Sequence, residues 1–241
     1  MTDEVVYPGR DLEAMTFAVN YHKWILEFFR PHLGTRVVEV GAGTGAFSQL
    51  VLEHRLESLS LLEPSKTMFE LLSRNVGTFQ AAARLMTYNS TLRPVATQLK
   101  TIQKPDSMVY VNVLEHIDDD EGELKTVHET LGKGGKLFIF VPALKKLSTR
   151  FDEQLGHHRR YAKPELEDKC RRAGFTVLTS AYFDLVGITP WWVKYKLLRS
   201  GTMEPRVVQF YDKYVVPCAK LLESVIKPPF GKNVILVAER G

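Results

Sequence analysis

The sequence predicts an α/β fold, a doubly wound and mostly parallel sheet of seven strands with helices on both faces. From residue 35 onward, short β-rich runs alternate with helical stretches, and that alternation implies parallel strands joined by crossover helices. The first run ends in three closely spaced glycines, Gly41, Gly43 and Gly45, where strand gives way to helix. At 241 residues, with 44% hydrophobic and 25% charged side chains, the chain is able to bury one large core.

Each element follows from a local pattern. Residues 11–30 carry Leu12, Met15, Val19, Trp24, Ile25 and Phe28 at helical spacing, stopped by Pro31. Arg36–Val40 reads as the first strand and Ala46–His54 as its helix; Leu59–Glu63 and Ser65–Asn75 form the second such pair. Leu85–Tyr88 is a weak third strand, and Ser107–Val113 a fourth, followed by a polar helix at Asp119–Leu131. The turn Gly132-Lys133-Gly134-Gly135 leads into a fifth strand, Lys136–Val141, halted by Pro142. A helix at Pro164–Ala173 precedes strands at Phe175–Tyr182 and Asn233–Ala238. These form one domain spanning 1–241, with a helical cap at 1–34, a core at 35–183 and 231–241, and a helical, aromatic and basic insertion at 184–230 that reads as a lid.

Composition narrows the function. A net charge of +4 favours an anionic small partner but falls far short of a nucleic-acid-coating protein. Two cysteines, Cys170 and Cys218, make no disulfide framework and point to a reducing, cytoplasmic setting. No signal-peptide pattern opens the sequence, and no apolar run approaches the ~20 residues that span a bilayer.

In doubly wound sheets a ligand sits beyond the carboxyl ends of the strands, at a turn tight enough for backbone to approach it. Gly41, Gly43 and Gly45 supply such a turn because they tolerate positive φ. Gly41, Gly43 and Ala46 also satisfy the dinucleotide pattern G-x-G-x-x-A. Glu63, at the end of the second strand, suits a ribose hydroxyl pair under either reading. Glu39 separates them: it would repel a pyrophosphate and attract an ammonium group. Its structural alternative is a loop tie that accepts backbone N–H groups.

Val37-Val38-Glu39-Val40-Gly41-Ala42-Gly43-Thr44-Gly45 resembles the first motif of class I S-adenosylmethionine-dependent methyltransferases. Leu61-Leu62-Glu63-Pro64 resembles their second motif, Asn112-Val113-Leu114-Glu115-His116-Ile117 their segment after the fourth strand, and Leu131-Gly132-Lys133-Gly134-Gly135-Lys136-Leu137 their turn into the fifth. The resemblance covers about residues 35–142 and implies a Rossmann-like methyltransferase fold with S-adenosylmethionine as cofactor. It implies that Glu63 holds the ribose, that Pro64 flanks the adenine with Asn89 and Ser90 as the nearest polar residues, and that Asn112 and Val113 line the methionine arm through their backbone. It also disfavours a nucleic-acid substrate, since Val111-Asn112-Val113-Leu114 stands where enzymes that methylate base amino groups carry Asn/Asp-Pro-Pro-aromatic.

Methyl transfer needs alignment in a dry pocket and, for an oxygen or nitrogen acceptor, often a base. His116 is one candidate; its alternative is a cap on the helix near Asp118. The block Gly156-His157-His158-Arg159-Arg160-Tyr161 resembles a bacterial subgroup of these enzymes, and His157, Arg160 and Tyr161 are candidates for base and anion clamp. The alternative is a loop latched by an Asp152–Arg pair with Tyr161 packed beneath. A metal site is not expected, because adjacent histidines project differently. Trp191–Arg199 reads as lid or core, with peripheral membrane contact as the less favoured alternative. Tyr7, Tyr21 and Trp24 are able to close the site from the N-terminal side or simply to pack. The expected activity is methylation of a small-molecule acceptor; a binding module on the same fold and a nicotinamide-dependent oxidoreductase are the alternatives.

Overall fold

In the computed structural model, which describes residues 16–241, all seven expected strands join one sheet in the order β3-β2-β1-β4-β5-β7-β6. They are β1 (Arg36–Val40), β2 (Ser58–Leu62), β3 (Arg84–Tyr88), β4 (Ser107–Val111), β5 (Lys136–Pro142), β6 (Phe175–Phe183) and β7 (Asn233–Arg240). β1 to β5 pair in parallel, while β7 runs antiparallel to both β5 and β6. The mostly parallel, doubly wound architecture expected from the sequence is therefore the one observed. Tyr7 lies outside the described residues.

The central strands read as apolar runs because both faces are covered. Along β5, Leu137, Phe138, Ile139, Phe140 and Val141 are all fully buried. Successive residues face opposite layers: Phe138 and Phe140 pack under α1 (Val19–Phe29), while Leu137, Ile139 and Val141 pack with α5 (Asp120–Thr130) and α7 (Lys163–Arg172). α1 buries Tyr21, Ile25 and Phe29 at i, i+4 and i+8, together with Trp24. Tyr21 and Trp24 are thus core residues of the described chain rather than a wall of the site.

Between these run α2 (Ala46–Val51), α3 (Lys66–Val76), α4 (Leu92–Gln98) and the short α6 (Arg150–Gln154). Ser65 caps α3, accepting from the Met68 N–H, and Asp119 caps α5, accepting from the Gly122 N–H. α4 has no counterpart in the sequence reading: its only fully buried anchors are Leu92 and, in the π-turn beyond it, Leu99, too sparse a pattern to register as a period. β4 stops two residues short of the expected Val113 because Asn112 turns to a φ of 54°. That left-handed conformation ends the strand.

The segment between β6 and β7 is helical: α8 (Ile188–Trp191), α9 (Pro205–Phe210) and α10 (Val216–Val225), with π-turns at Trp192–Leu197 and Tyr211–Val215. One buried carboxylate fastens it to the core. Asp184 is fully buried and pairs with Lys232 Nζ at 2.7 Å; it also accepts hydrogen bonds from Tyr21 Oη, Tyr211 Oη and the Gly187 N–H. Removing one partner of such a pair leaves a charge stranded. Asp184→Ala is therefore expected to lower unfolding stability by about 3–5 kcal/mol. Chemical denaturation that finds the variant as stable as the parent would show that the Asp184 hub does not fasten this segment.

Candidate functional site

Because β1 to β5 are parallel, their carboxyl ends share one edge, and the chain reverses its direction of growth across the sheet at β1. In doubly wound sheets such a switch point is where a ligand binds. The turn after β1 stands at this point. Gly41, Gly43 and Gly45 all take positive φ (71°, 56° and 84°). A Cβ on Gly41 would stand 2.4 Å from Val113 Cγ2, so glycine is required there by both dihedral and contact. The N–H groups of Gly41 and Ala42 both donate to Leu62 O, tying the turn to the end of β2.

Four predicted donor-side residues gather around this turn. Glu63 is buried; Oε2 accepts from the Gly43 N–H at 2.9 Å and Oε1 from the Ser65 N–H at 2.8 Å. A carboxylate has about four lone-pair sites, so capacity remains for a hydroxyl pair. Glu39 is buried at 3% exposure, and its Oε2 has no hydrogen-bond partner. Burial pushes its carboxyl up to about 7; the Ser48 hydroxyl opposes that shift and the Glu63 carboxylate adds to it. Asn112, held at positive φ by its N–H bond to Phe140 O, brings Val113 against Gly41. Asn89 is committed elsewhere, its Nδ2 donating to the carbonyls of Glu63 and Pro64 at 2.8 and 3.2 Å. It braces the end of β2 and stands beside Pro64, the residue expected to flank an adenine.

The second half of the site forms where the segments after β4 and β5 meet. Glu115 and His116 lie in a 3-10 turn, Leu114–His116. The His116 and His157 rings meet edge-to-face with centroids 4.6 Å apart, so the two candidate bases stand side by side and not across a pocket. Glu115 is fully buried, and neither carboxylate oxygen has a hydrogen-bond partner. Burial raises its carboxyl to about 7, against the opposing pull of His157. Burial and the neighbouring His157 push the His116 imidazole down to about 3, which keeps it neutral. One donor atom from each of Glu115, His116 and His157 falls within 4.8 Å of the other two, a convergence that the sequence, with His157 and His158 considered as a pair, does not reveal. His158 turns away toward Asp118.

Asp152 organises the loop. Burial works against its charge, but His157 and Arg160 more than offset this and hold its carboxyl at about 2. Thr149 and Asp152 cap α6 reciprocally. Asp152 Oδ1 takes His157 Nδ1 at 3.1 Å and Arg160 Nε at 2.9 Å. Arg160 is buried, donates also to Ala143 O, and lies 5.0 Å from the Trp191 ring centroid. Its guanidinium is thus engaged within the protein, not presented as an anion clamp. Tyr161 is fully buried, its hydroxyl on Asp120 Oδ2 (2.8 Å) and Leu114 O (3.2 Å). Contrary to expectation, that hydroxyl is closed off from an acceptor.

Glu39 makes the donor half sensitive to pH. Its folded pKa of about 7 lies above the ordinary 4.5, so its contribution to stability is present below about 4.5 and is lost as pH climbs to about 7. A bound cation favours the ionised form, so cation affinity rises over that same window. Glu39→Gln is expected to flatten both trends. Thermal midpoints from pH 5 to pH 8, with and without donor, measure them, and His22 and His116 cancel between variant and parent. Parallel curves for the two proteins would remove Glu39 from the donor site.

Residues 16–180 match the family described as Methyltransferase domain. None of the curated protein sequences matches the chain. Among solved structures, a SAM-dependent methyltransferase from Archaeoglobus fulgidus superposes with a TM-score of 0.59 at 15% identity, over 91% of this chain and 93% of that one. A SAM-dependent methyltransferase from Thermotoga maritima, described as a possible histamine N-methyltransferase, gives 0.54 at 19% identity over 96% and 95%. A (4+2) cyclase gives 0.60 at 16% identity, over 92% and 80%. The seven-stranded methyltransferase architecture is common to these folds, and the unpartnered Oε2 of Glu39 near the glycine turn fits the cationic cofactor S-adenosylmethionine that the family uses. The chain belongs to the methyltransferase-domain family.

Proposed function

We propose that the chain methylates an oxygen or nitrogen nucleophile of a small molecule, with S-adenosylmethionine as donor. The observation that carries this reading is the buried, unpartnered Oε2 of Glu39 beside a turn whose three glycines take positive φ. When bound, S-adenosylmethionine supplies an electrophilic methyl group on a sulfonium. Glu39 would face its ammonium group, Glu63 would accept from its ribose hydroxyls, Pro64 would flank its adenine, and the backbone of Asn112 and Val113 would line its methionine arm.

On the acceptor side, Asp152 is ionised and takes the proton-bearing Nδ1 of His157. That leaves Nε2 as the free lone pair able to accept a proton from the nucleophile. We read Arg160 and Tyr161 as positioning residues that fix this geometry, and the Gly156–Tyr161 block as the mark of a subgroup that shares it. Neutral His116 and the carboxyl of Glu115 border the same space.

A second reading rests on the convergence of Glu115, His116 and His157 within 4.8 Å. Two imidazoles and a carboxylate suit a divalent transition metal, and a carboxylate on the far nitrogen of a ligating histidine, as Asp152 is on His157, is the usual outer-shell arrangement. Zinc or manganese added to chelator-stripped protein would then raise the thermal midpoint, and an unchanged midpoint leaves the base reading alone.

Glu63→Ala is expected to weaken donor binding ten- to a hundredfold, since a hydrogen bond to a charged group contributes about 1.5–3 kcal/mol. Calorimetry on the folded variant checks it. His157→Ala is expected to abolish transfer of labelled methyl to metabolites of a cell extract while leaving donor affinity intact. Arg160→Ala, by contrast, strands Asp152 and is expected to lower stability by about 3 kcal/mol. Equal losses of stability in the two variants would assign His157 to the latch instead of to the chemistry.

A further inference from the structure

The helical segment after β6 carries a surface that neither the fold nor the methyl-transfer reading uses. Sixteen large apolar side chains among the described residues are prominently exposed, and those from Trp192 to Phe230 make up most of them. From Pro205 to Val225 the helical rod α9, π-turn and α10 is apolar on two sides. One stripe, with Tyr211, Val215, Val216 and Ala219, lies inward and packs toward the core. The other, Val207, Phe210, Tyr214, Leu221 and Val225, recurs at helical spacing and stands open at 47–81% exposure. An apolar groove of about 670 Å³, lined in part by Ile188, Val207, Phe210 and Phe230, opens on this same side. Trp192, Leu197 and Leu198 extend the exposed surface.

Charge says what covers it. Arg206, Lys213 and Lys220 fall seven residues apart along the rod, a spacing that keeps them on one side of the helix, and Lys227 follows just beyond its end. The acids of the rod are turned inward: Asp212 accepts from the Asn20 and Tyr21 N–H groups, and Glu223 from those of Asp184 and Leu185. Lys220 pairs with Glu27 of α1, and the other three make no ion pair among the described residues. The solvent-facing charge of the rod is accordingly basic and stands beside an aromatic and aliphatic stripe. A basic flank beside a Phe/Tyr/Leu stripe is the composition of a helix that lies in the headgroup layer. No helix among the described residues is long and apolar enough to cross a membrane.

We propose that this face, centred on Phe210, Tyr214 and Leu221, docks the enzyme onto an anionic lipid bilayer. The rod lies in the plane of the interface with its apolar stripe among the acyl chains and Arg206, Lys213 and Lys227 at the phosphates. The neighbouring α8 and its π-turn reach back to the acceptor half, where Tyr195 stacks on Phe151 with centroids 4.4 Å apart and Arg160 sits over Trp191. Docking therefore sets the acceptor rim close to the lipid surface. The inference stands on exposure and charge and is independent of which nucleophile is methylated.

Co-sedimentation of the full chain with phosphatidylcholine vesicles, with and without phosphatidylglycerol, tests it. The expected result is binding to the mixed vesicles alone, weakened by salt. Phe210→Asp with Leu221→Asp, both already solvent-exposed and so compatible with folding, is expected to abolish binding. Each of Arg206→Gln and Lys213→Gln is expected to lower the partition roughly fivefold. No binding by the parent chain, or equal binding to neutral vesicles, overturns the proposal. So does light scattering that finds a stable dimer in which the two aspartates disrupt dimerisation and vesicle binding is absent.

Discussion

Burying a carboxylate is among the most unfavourable things a fold can do, costing several kcal/mol unless a partner compensates, and this chain does it repeatedly along one edge of its sheet. Glu39 is the last residue but one of β1, Glu63 follows β2, Glu115 follows β4, Asp152 lies in the segment after β5 and Asp184 follows β6; all are buried. They fall into two groups. Asp152 and Asp184 are met by Arg160 and Lys232, with further donors around them, and both are held below the ordinary carboxylate range. Glu39 and Glu115 retain oxygens with no partner, and burial raises both to about 7. The paired carboxylates hold loops in place. The unpaired ones mark where the fold has left room for something else, and Glu63, satisfied only by two backbone N–H groups, stands between the two groups.

The same edge explains why donor and acceptor halves meet. β1 lies between β2 and β4, and β4 beside β5. The glycine turn therefore faces the segment carrying Asn112 and Val113, and that segment faces the loop carrying His157. Asn112 is the pivot. Its left-handed backbone ends β4 early and carries Val113 onto Gly41, while the turn that follows brings His116 beside His157. A residue other than glycine at positive φ is strained, and such strain persists where surrounding structure over-determines it, as it does at binding sites.

The strands were legible because their pattern is strong. Arg36–Val40 is recovered residue for residue, and β5 differs from the reading only by Pro142. The glycine turn, with Glu39 and Glu63 close to it in the chain, was legible from spacing; that both acids are buried was not. What was not legible depended on contacts between segments. The sequence joins His157 to His158, whereas the structure joins His157 to His116 across the β4–β5 boundary and turns His158 to Asp118. Neighbours in sequence point apart on an extended loop, so adjacency was the wrong guide. Arg160 shows a second limit: from sequence, a guanidinium that clamps a substrate and one that latches onto Asp152 look alike. Only its burial and its bond to Ala143 O separate them.

Fold alone leaves the reaction open, since an architecture this widely shared also serves a cyclase. In this chain the half of the candidate site proposed for the donor is built on the sheet: a glycine turn, two glutamates and an asparagine at positive φ, all within or next to paired strands. The acceptor half is built from loops and from the segment after β6, held on by the Asp152 and Asp184 hubs. Trp191 stands between them, its ring centroid 5.0 Å from the Arg160 guanidinium and 5.9 Å from Lys232 Nζ, while its indole Nε1 has no partner. The segment after β6 thus touches the arginine that shares Asp152 with His157, at a place separate from the glycine turn. That separation lets the outer helices diverge toward new acceptors or new surfaces while the cofactor site beneath them stays the same.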